Sequence, residues 1–190
     1  MEISSDLDLR RWKKMRFVFP NKEYEQKAVE FIQEFHEYHS PINGTGGLDR
    51  FLEKATYQDW LLKIEADRDI ANIPENKVPA YTYFYIREDD DKIIGMINIR
   101  LALNDFLRKE GGHIGYCIRP AERRKGYGTR MLMEALMFLK PIGLTNIILT
   151  CGKENIASAC VIKNCGGVLE DEFYSNTFNQ VIQRYRICME

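Results

Sequence analysis

The run Ile118-Arg-Pro-Ala-Glu-Arg-Arg-Lys-Gly-Tyr-Gly128 decides how the rest of the chain is read. Pro120 closes an apolar segment and three consecutive cations follow at Arg123, Arg124 and Lys125. Two glycines then open a pattern in which Leu132, Ala135, Leu136 and Leu139 recur at helical spacing. The run is therefore a strand-to-helix turn. Backbone N–H groups at a helix start have no partners within the helix; with the helix dipole and the cations, they predict an anion site over residues 124–129. Gly126 and Gly128 leave room for a ligand to approach the backbone. The bland alternative is an ordinary basic helix start.

Working outward, residues 113–119 read as the strand that feeds the turn. Residues 80–86 and 93–100, rich in aromatic and β-branched side chains, form an antiparallel hairpin around the solvated acidic turn Glu88-Asp-Asp-Asp91. Downstream, Pro141 and Gly143 stop the helix, and 145–151 is a nearly continuous apolar strand, completing a strand–helix–strand crossover. Asn155 caps a short helix to Asn164, Gly166 and Gly167 end it, and 168–174 with 180–187 close the chain as a hairpin. Towards the N-terminus lie a strand at 16–19, a helix over 22–38 capped by Asn21, the breaker run 40–47, and helical spacing from 48 to 68 that two short helices or one bent one would satisfy. The expected fold is α/β (α+β), in the order β-α-α-β-β-β-α-β-α-β-β, with about four helices flanking a mixed, mostly antiparallel sheet of about seven strands. Residues 1–14 are expected to be a flexible lead-in, and 15–190 a single domain.

Composition excludes several classes. Of the 190 residues 45% are hydrophobic and 29% charged, which rules out a disordered or low-complexity chain. No apolar run approaches the roughly 18 residues of a membrane span, and the polar start lacks a secretory segment, so a cytoplasmic protein without a membrane partner is expected. Lys and Arg number 27 against 28 Asp and Glu, a net charge of −1, which argues against a nucleic-acid partner despite the basic stretches 10–14 and 123–125. Five cysteines without a C-x-x-C pair and three scattered histidines predict reduced thiols and no metal.

The spacing of Gly126 and Gly128 fits neither a P-loop nor a dinucleotide fingerprint. Arg123 to Gly128 reads as Arg, two residues, Gly, one residue, Gly, preceded by Ile118-Arg-Pro120; this resembles the acetyl-CoA-binding motif of the GNAT N-acetyltransferases. Asn155-Ile-Ala-Ser158, opening a helix that ends in a glycine turn, is similar to a second family feature, and the order of elements over 16–187 resembles the whole domain. The resemblance implies a sheet splayed between residues 113–119 and 145–151, with the pantetheine arm of acetyl-CoA in the opening. It places the Ile118 backbone, Asn155 and Ser158 on that arm, and Arg123, Arg124, Lys125, Gly126, Tyr127, Gly128 and Thr129 at the pyrophosphate.

The activity implied is acetyl transfer from acetyl-CoA to a primary amine of a small molecule, peptide or protein, by direct attack in a ternary complex. A CoA-binding module without turnover is the alternative. Such transfer needs a route for the amine proton and a proton for the leaving thiolate. Here the chain departs from the family: Ile162 stands where many members carry the tyrosine acid, leaving Tyr116, Tyr174 and Tyr185 as candidates. His113 is the candidate base, because its ordinary pKa suits proton uptake near neutrality; the alternative is a histidine hydrogen-bonded to the adjacent Gly111-Gly112 loop. Asn98 and Arg100 are candidate acceptor contacts, the arginine favouring an acceptor with a carboxylate. The aromatic run Tyr81, Tyr83, Phe84, Tyr85 would line an acceptor pocket or simply pack the sheet. Family habit adds the expectation of a homodimer.

Overall fold

The computed structural model describes residues 13–189, so positions 1–12 of the expected lead-in, with Arg10, Arg11 and Trp12, lie outside the described residues. Seven strands form two antiparallel sheets. In the first, the spatial order is β1 (Met15–Val18), β2 (Ala80–Arg87), β3 (Lys92–Arg100), β4 (Ile114–Ile118). In the second, β5 (Asn146–Gly152) lies beside β7 (Gln180–Cys188), which pairs with β6 (Val168–Ser175). The break between sheets falls between β4 and β5, where the splay is expected.

Both faces of the first sheet are covered, which is why β3 is buried from Ile93 to Ile99. One face packs α1 (Glu25–Glu37) and α3 (Tyr57–Ala66) through Phe31, Phe35, Trp60 and Ile64 against Phe84 and Met96. The other packs α4 (Tyr127–Leu139), whose Met131, Leu132 and Ala135 meet Ile94 and Ile97; the same cluster runs on through Ile147 and Leu149 of β5 and Ile162 of α5 (Ile156–Asn164). One apolar core thus joins the two sheets behind their break.

Among the described residues five α-helices stand where about four were expected, because residues 48–68 divide into α2 (Leu48–Lys54) and α3. The division is encoded locally. Ala55 and Thr56 are extended, and Thr56 accepts from the Asp59 N–H at 3.1 Å while the Asp59 carboxylate accepts from the Thr56 N–H at 3.0 Å, a reciprocal cap that starts a new helix. The acidic turn also differs from expectation. Its members are each paired rather than merely solvated: Glu88 with Lys14 (3.1 Å), Asp89 with Lys13 (3.4 Å), Asp90 with Arg87 (2.6 Å) and Asp91 with Arg16 (2.7 Å).

Candidate active site

The opening between β4 and β5 is closed at one end by His113. Its N–H donates to the Ile148 carbonyl at 2.7 Å, and the Ile148 N–H donates to its Nδ1 at 2.9 Å. Beyond that point the two strands belong to different sheets. Bonds from Arg119 N–H to the Ile94 carbonyl and from Arg100 N–H to the His113 carbonyl, both 2.8 Å, fix which residues of β4 turn their backbone to β3. Antiparallel alternation then turns the backbone groups of Tyr116 and Ile118 towards the opening.

At the far end of β4 the chain makes the predicted turn. Arg124 adopts φ +61° and Gly126 φ +81°, both left-handed, and the first internal bond of α4 runs from the Arg130 N–H to the Gly126 carbonyl. The N–H groups of Tyr127, Gly128 and Thr129 therefore have no partners within the helix. At Gly126 the positive φ itself favours glycine. Gly128 serves a different end: a Cβ there would come within 3.2 Å of Val161 on α5, so the glycine lets the two helices pack closely.

The three cations of the turn separate into distinct roles. Arg123 folds back on the protein, donating to the Ile118 carbonyl (3.1 Å) and Ser40 Oγ (2.7 Å) with its guanidinium over the Phe35 ring. Lys125 pairs with Glu122 at 2.8 Å. Arg124 is exposed and, among the described residues, makes no hydrogen bond or ion pair. It is the cation of the turn free to meet an anionic ligand.

Across the opening, the Asn155 side chain caps α5 by accepting from the Ser158 N–H at 3.1 Å, and the Ser158 hydroxyl lies 3.1 Å from Tyr116 Oη. Burial pushes the Tyr116 phenol far above its ordinary value, so it holds its proton at neutral pH. Burial also raises the Cys151 thiol, against the lowering effect of a hydrogen bond with Ser158. Tyr116 is thus brought to the opening, beside Asn155 and Ser158. Tyr174 is not: it is exposed on the closing hairpin and bonds Asn179. Tyr185 is fully buried, its hydroxyl donating to Gln183 at 2.6 Å. Ile162 is also fully buried, an aliphatic member of the core.

The geometry also gives partners to three residues singled out in the sequence, His113, Arg100 and Asn98. A backbone N–H can only donate, so His113 Nδ1 is the bare nitrogen of a neutral ring and its lone pair is already used; Nε2 carries the proton. The ring has no lone pair left for a base and acts instead as the clasp between β4 and β5. Arg100 donates to the carbonyls of Gly111 (3.1 Å) and Gly112 (2.9 Å), and burial lowers its pKa; through these bonds it braces the approach to β4. Asn98 is buried with its amide on Thr82 Oγ1 at 3.0 Å. Residues that sequence reading missed are Arg87 and Glu122, buried beneath the turn and joined at 3.1 Å. A lone acid within the basic run was the available signal for Glu122; nothing local marked Arg87.

Comparisons with known proteins follow the same lines. The family model for the acetyltransferase (GNAT) family matches residues 7–166. Among curated proteins, N-acetyltransferase family 8 member 3 of Rattus norvegicus is 22% identical over 124 residues, 64% of this chain and 54% of that protein. The chain therefore spans about half the length of the curated relative it matches. Among solved structures, a microcin self-immunity acetyltransferase in complex with acetyl-CoA and AMP superposes with a TM-score of 0.65 at 18% identity, covering 93% of each chain. A ribosomal α-N-protein acetyltransferase in complex with coenzyme A does so at 0.66 and 12%, covering 93% of this chain and 94% of the other. At such identities the likeness to these structures is one of fold.

Proposed function

We propose, for a chain that belongs to the acetyltransferase (GNAT) family, that it transfers acetyl from acetyl-CoA to a primary amine by direct attack in a ternary complex. The observation that carries this reading is the turn at the end of β4. Among the described residues it presents three N–H groups without a partner in the helix and one unpaired arginine, at the mouth of an opening lined by a strand edge that no neighbouring strand pairs. These are the donors a pyrophosphate followed by an amide-bearing arm requires.

Arg124, with the N–H groups of Tyr127, Gly128 and Thr129, would hold the pyrophosphate. The gap-facing backbone of Ile118, with Asn155 and Ser158, would hold the arm. Arg123 and Lys125 serve as supports of the turn. Acetyl-CoA supplies an activated acyl group, so the protein's own task is to orient the amine and manage protons. Tyr116 Oη, protonated and in contact with Ser158 Oγ, would deliver a proton to the leaving sulfur, the role left open by Ile162. The solved acetyltransferases of like fold include one that modifies a ribosomal protein, which makes a protein N-terminus one acceptor class to test beside small amines.

Calorimetric titration with acetyl-CoA, followed by mass detection of acetylated products on a panel of amines and peptides, tests the reading. Binding with product formation supports it. Binding without turnover on the panel would favour a CoA-binding module, and no binding to the folded protein would remove the acetyl-CoA reading altogether.

A further inference from the structure

Beneath the turn sits a carboxylate whose presence is at first adverse to an anion site. Glu122 is 6% exposed, immediately before the three cations, and a second negative charge so near a phosphate should repel it. Around it the protein gathers positive charge. Arg87 Nη1 donates to Glu122 Oε2 at 3.1 Å, Lys125 Nζ donates to the same oxygen at 2.8 Å, and Lys92 lies 3.8 Å from Oε1. Arg87, 8% exposed at the end of β2, is held by Asp90 through Nε (2.8 Å) and Nη2 (2.6 Å) and reaches the Tyr127 hydroxyl at 3.4 Å. Burial alone would raise the Glu122 carboxyl, but the hydrogen bonds from Lys125 and Arg87 outweigh it and keep the group ionised.

The network touches the turn before, within and after its bend, at Glu122, Lys125 and Tyr127, and ties all three to the hairpin of β2 and β3. Between those anchors the backbone runs through a left-handed arginine, a conformation that is costly for a residue with a Cβ and persists only where its surroundings enforce it. A buried ion pair is a weak source of stability but holds geometry well. We propose that Arg87 and Glu122 are positioning residues that preform the pyrophosphate turn, so that the ligand does not bear the cost of ordering it. The inference rests on the cofactor reading above.

Charge and positioning predict opposite signs for Glu122→Gln, which makes the test sharp. Removing the negative charge should tighten coenzyme A binding if charge alone matters. Loss of the anchor should weaken it about tenfold, the worth of one charge-assisted hydrogen bond. Pantetheine, which carries no pyrophosphate, serves as a competitor whose affinity a merely structural loss would also lower. The expected result is weaker coenzyme A binding with pantetheine competition unchanged, and the same trend in Arg87→Lys, which conserves charge but not the fork. Equal or tighter coenzyme A binding in Glu122→Gln would overturn the proposal, as would proportionate weakening of both ligands. Should Glu122→Gln not fold, Glu122→Asp and Arg87→Lys carry the same comparison. Failure of the wild type to bind coenzyme A at all would sink the functional reading itself, and it shows before any variant is compared.

Discussion

The two ends of the opening between β4 and β5 are built on different principles. At the turn end, six consecutive residues supply left-handed backbone, unpartnered N–H groups and an exposed cation, so the local sequence nearly determines the chemistry. At the clasp end, Arg100 meets the Gly111 and Gly112 carbonyls, while His113 meets Ile148 and Thr150 donates to the Glu110 carbonyl at 2.8 Å, the last two across long chain separations. The difference teaches that residues of one type, arginine above all, stand unpaired at one position, as Arg124 does, and hold the scaffold at others, as Arg123 and Arg100 do. Burial and partners decide which.

The change expected to separate the ends most strongly is Gly126→Asp. Asparagine and aspartate tolerate a positive φ better than other residues, so the variant should fold, while its carboxylate would stand among the N–H groups of the turn. Calorimetry should show coenzyme A affinity falling at least about a hundredfold, or about 2.7 kcal/mol, as charge-assisted bonding gives way to repulsion. Unchanged binding in a folded variant would move the anion site away from this turn.

That contrast also explains what could be read in advance. The helix at 126–140, the crossover to β5 and the closing hairpin follow from periodicity and glycine or proline punctuation, which are local signals, and they stand where expected. The turn's backbone was legible for the same reason. Its side chains were not: Arg123, Arg124 and Lys125 are indistinguishable in sequence, and only Ser40, Phe35 and Glu122, distant or differently charged, sort them into supports and a free cation. The partner of His113 is not legible, because a histidine near a strand start carries no mark of whether its lone pair is taken. The split of residues 48–68 was within reach, since Thr56 and Asp59 spell a reciprocal cap.

Between the two ends lies Tyr116, and Tyr116→Phe sharpens the comparison. Removing Oη should leave coenzyme A affinity close to wild type and lower kcat by about a hundredfold, the low end of the range for general acid–base catalysis. A fall in affinity with kcat preserved would make the phenol a strut for Ser158 instead. Next in size is the pair Arg124→Ala and Arg123→Ala. Loss of Arg124 should weaken coenzyme A binding about tenfold, reduce its salt dependence and leave Tm unmoved. Loss of Arg123, which bonds the Ile118 carbonyl and Ser40, should lower Tm, with an effect on stability of about 1–2 kcal/mol. If the two variants exchanged behaviours, the assignment of support and free cation would be reversed.

The smallest effect is expected at the clasp, and it is a pH dependence. Burial, together with the charges of Arg100, Arg108 and Arg186, holds the His113 pKa below its ordinary 6.5. The unfolded chain therefore binds a proton before the folded one does. The stability His113 contributes is fully present above pH 6.5 and is lost as pH falls through the lower folded value, with a slope of at most about 1.4 kcal/mol per pH unit for one proton. Asn at this position offers an acceptor for the Ile148 N–H without titrating. Denaturant melts of the wild type between pH 7.5 and pH 5 should lose stability more steeply than those of His113→Asn. Parallel curves would mean that the bond from the Ile148 N–H to Nδ1 adds nothing to stability, and that the backbone bond from the His113 N–H to the Ile148 carbonyl holds the clasp in both charge states.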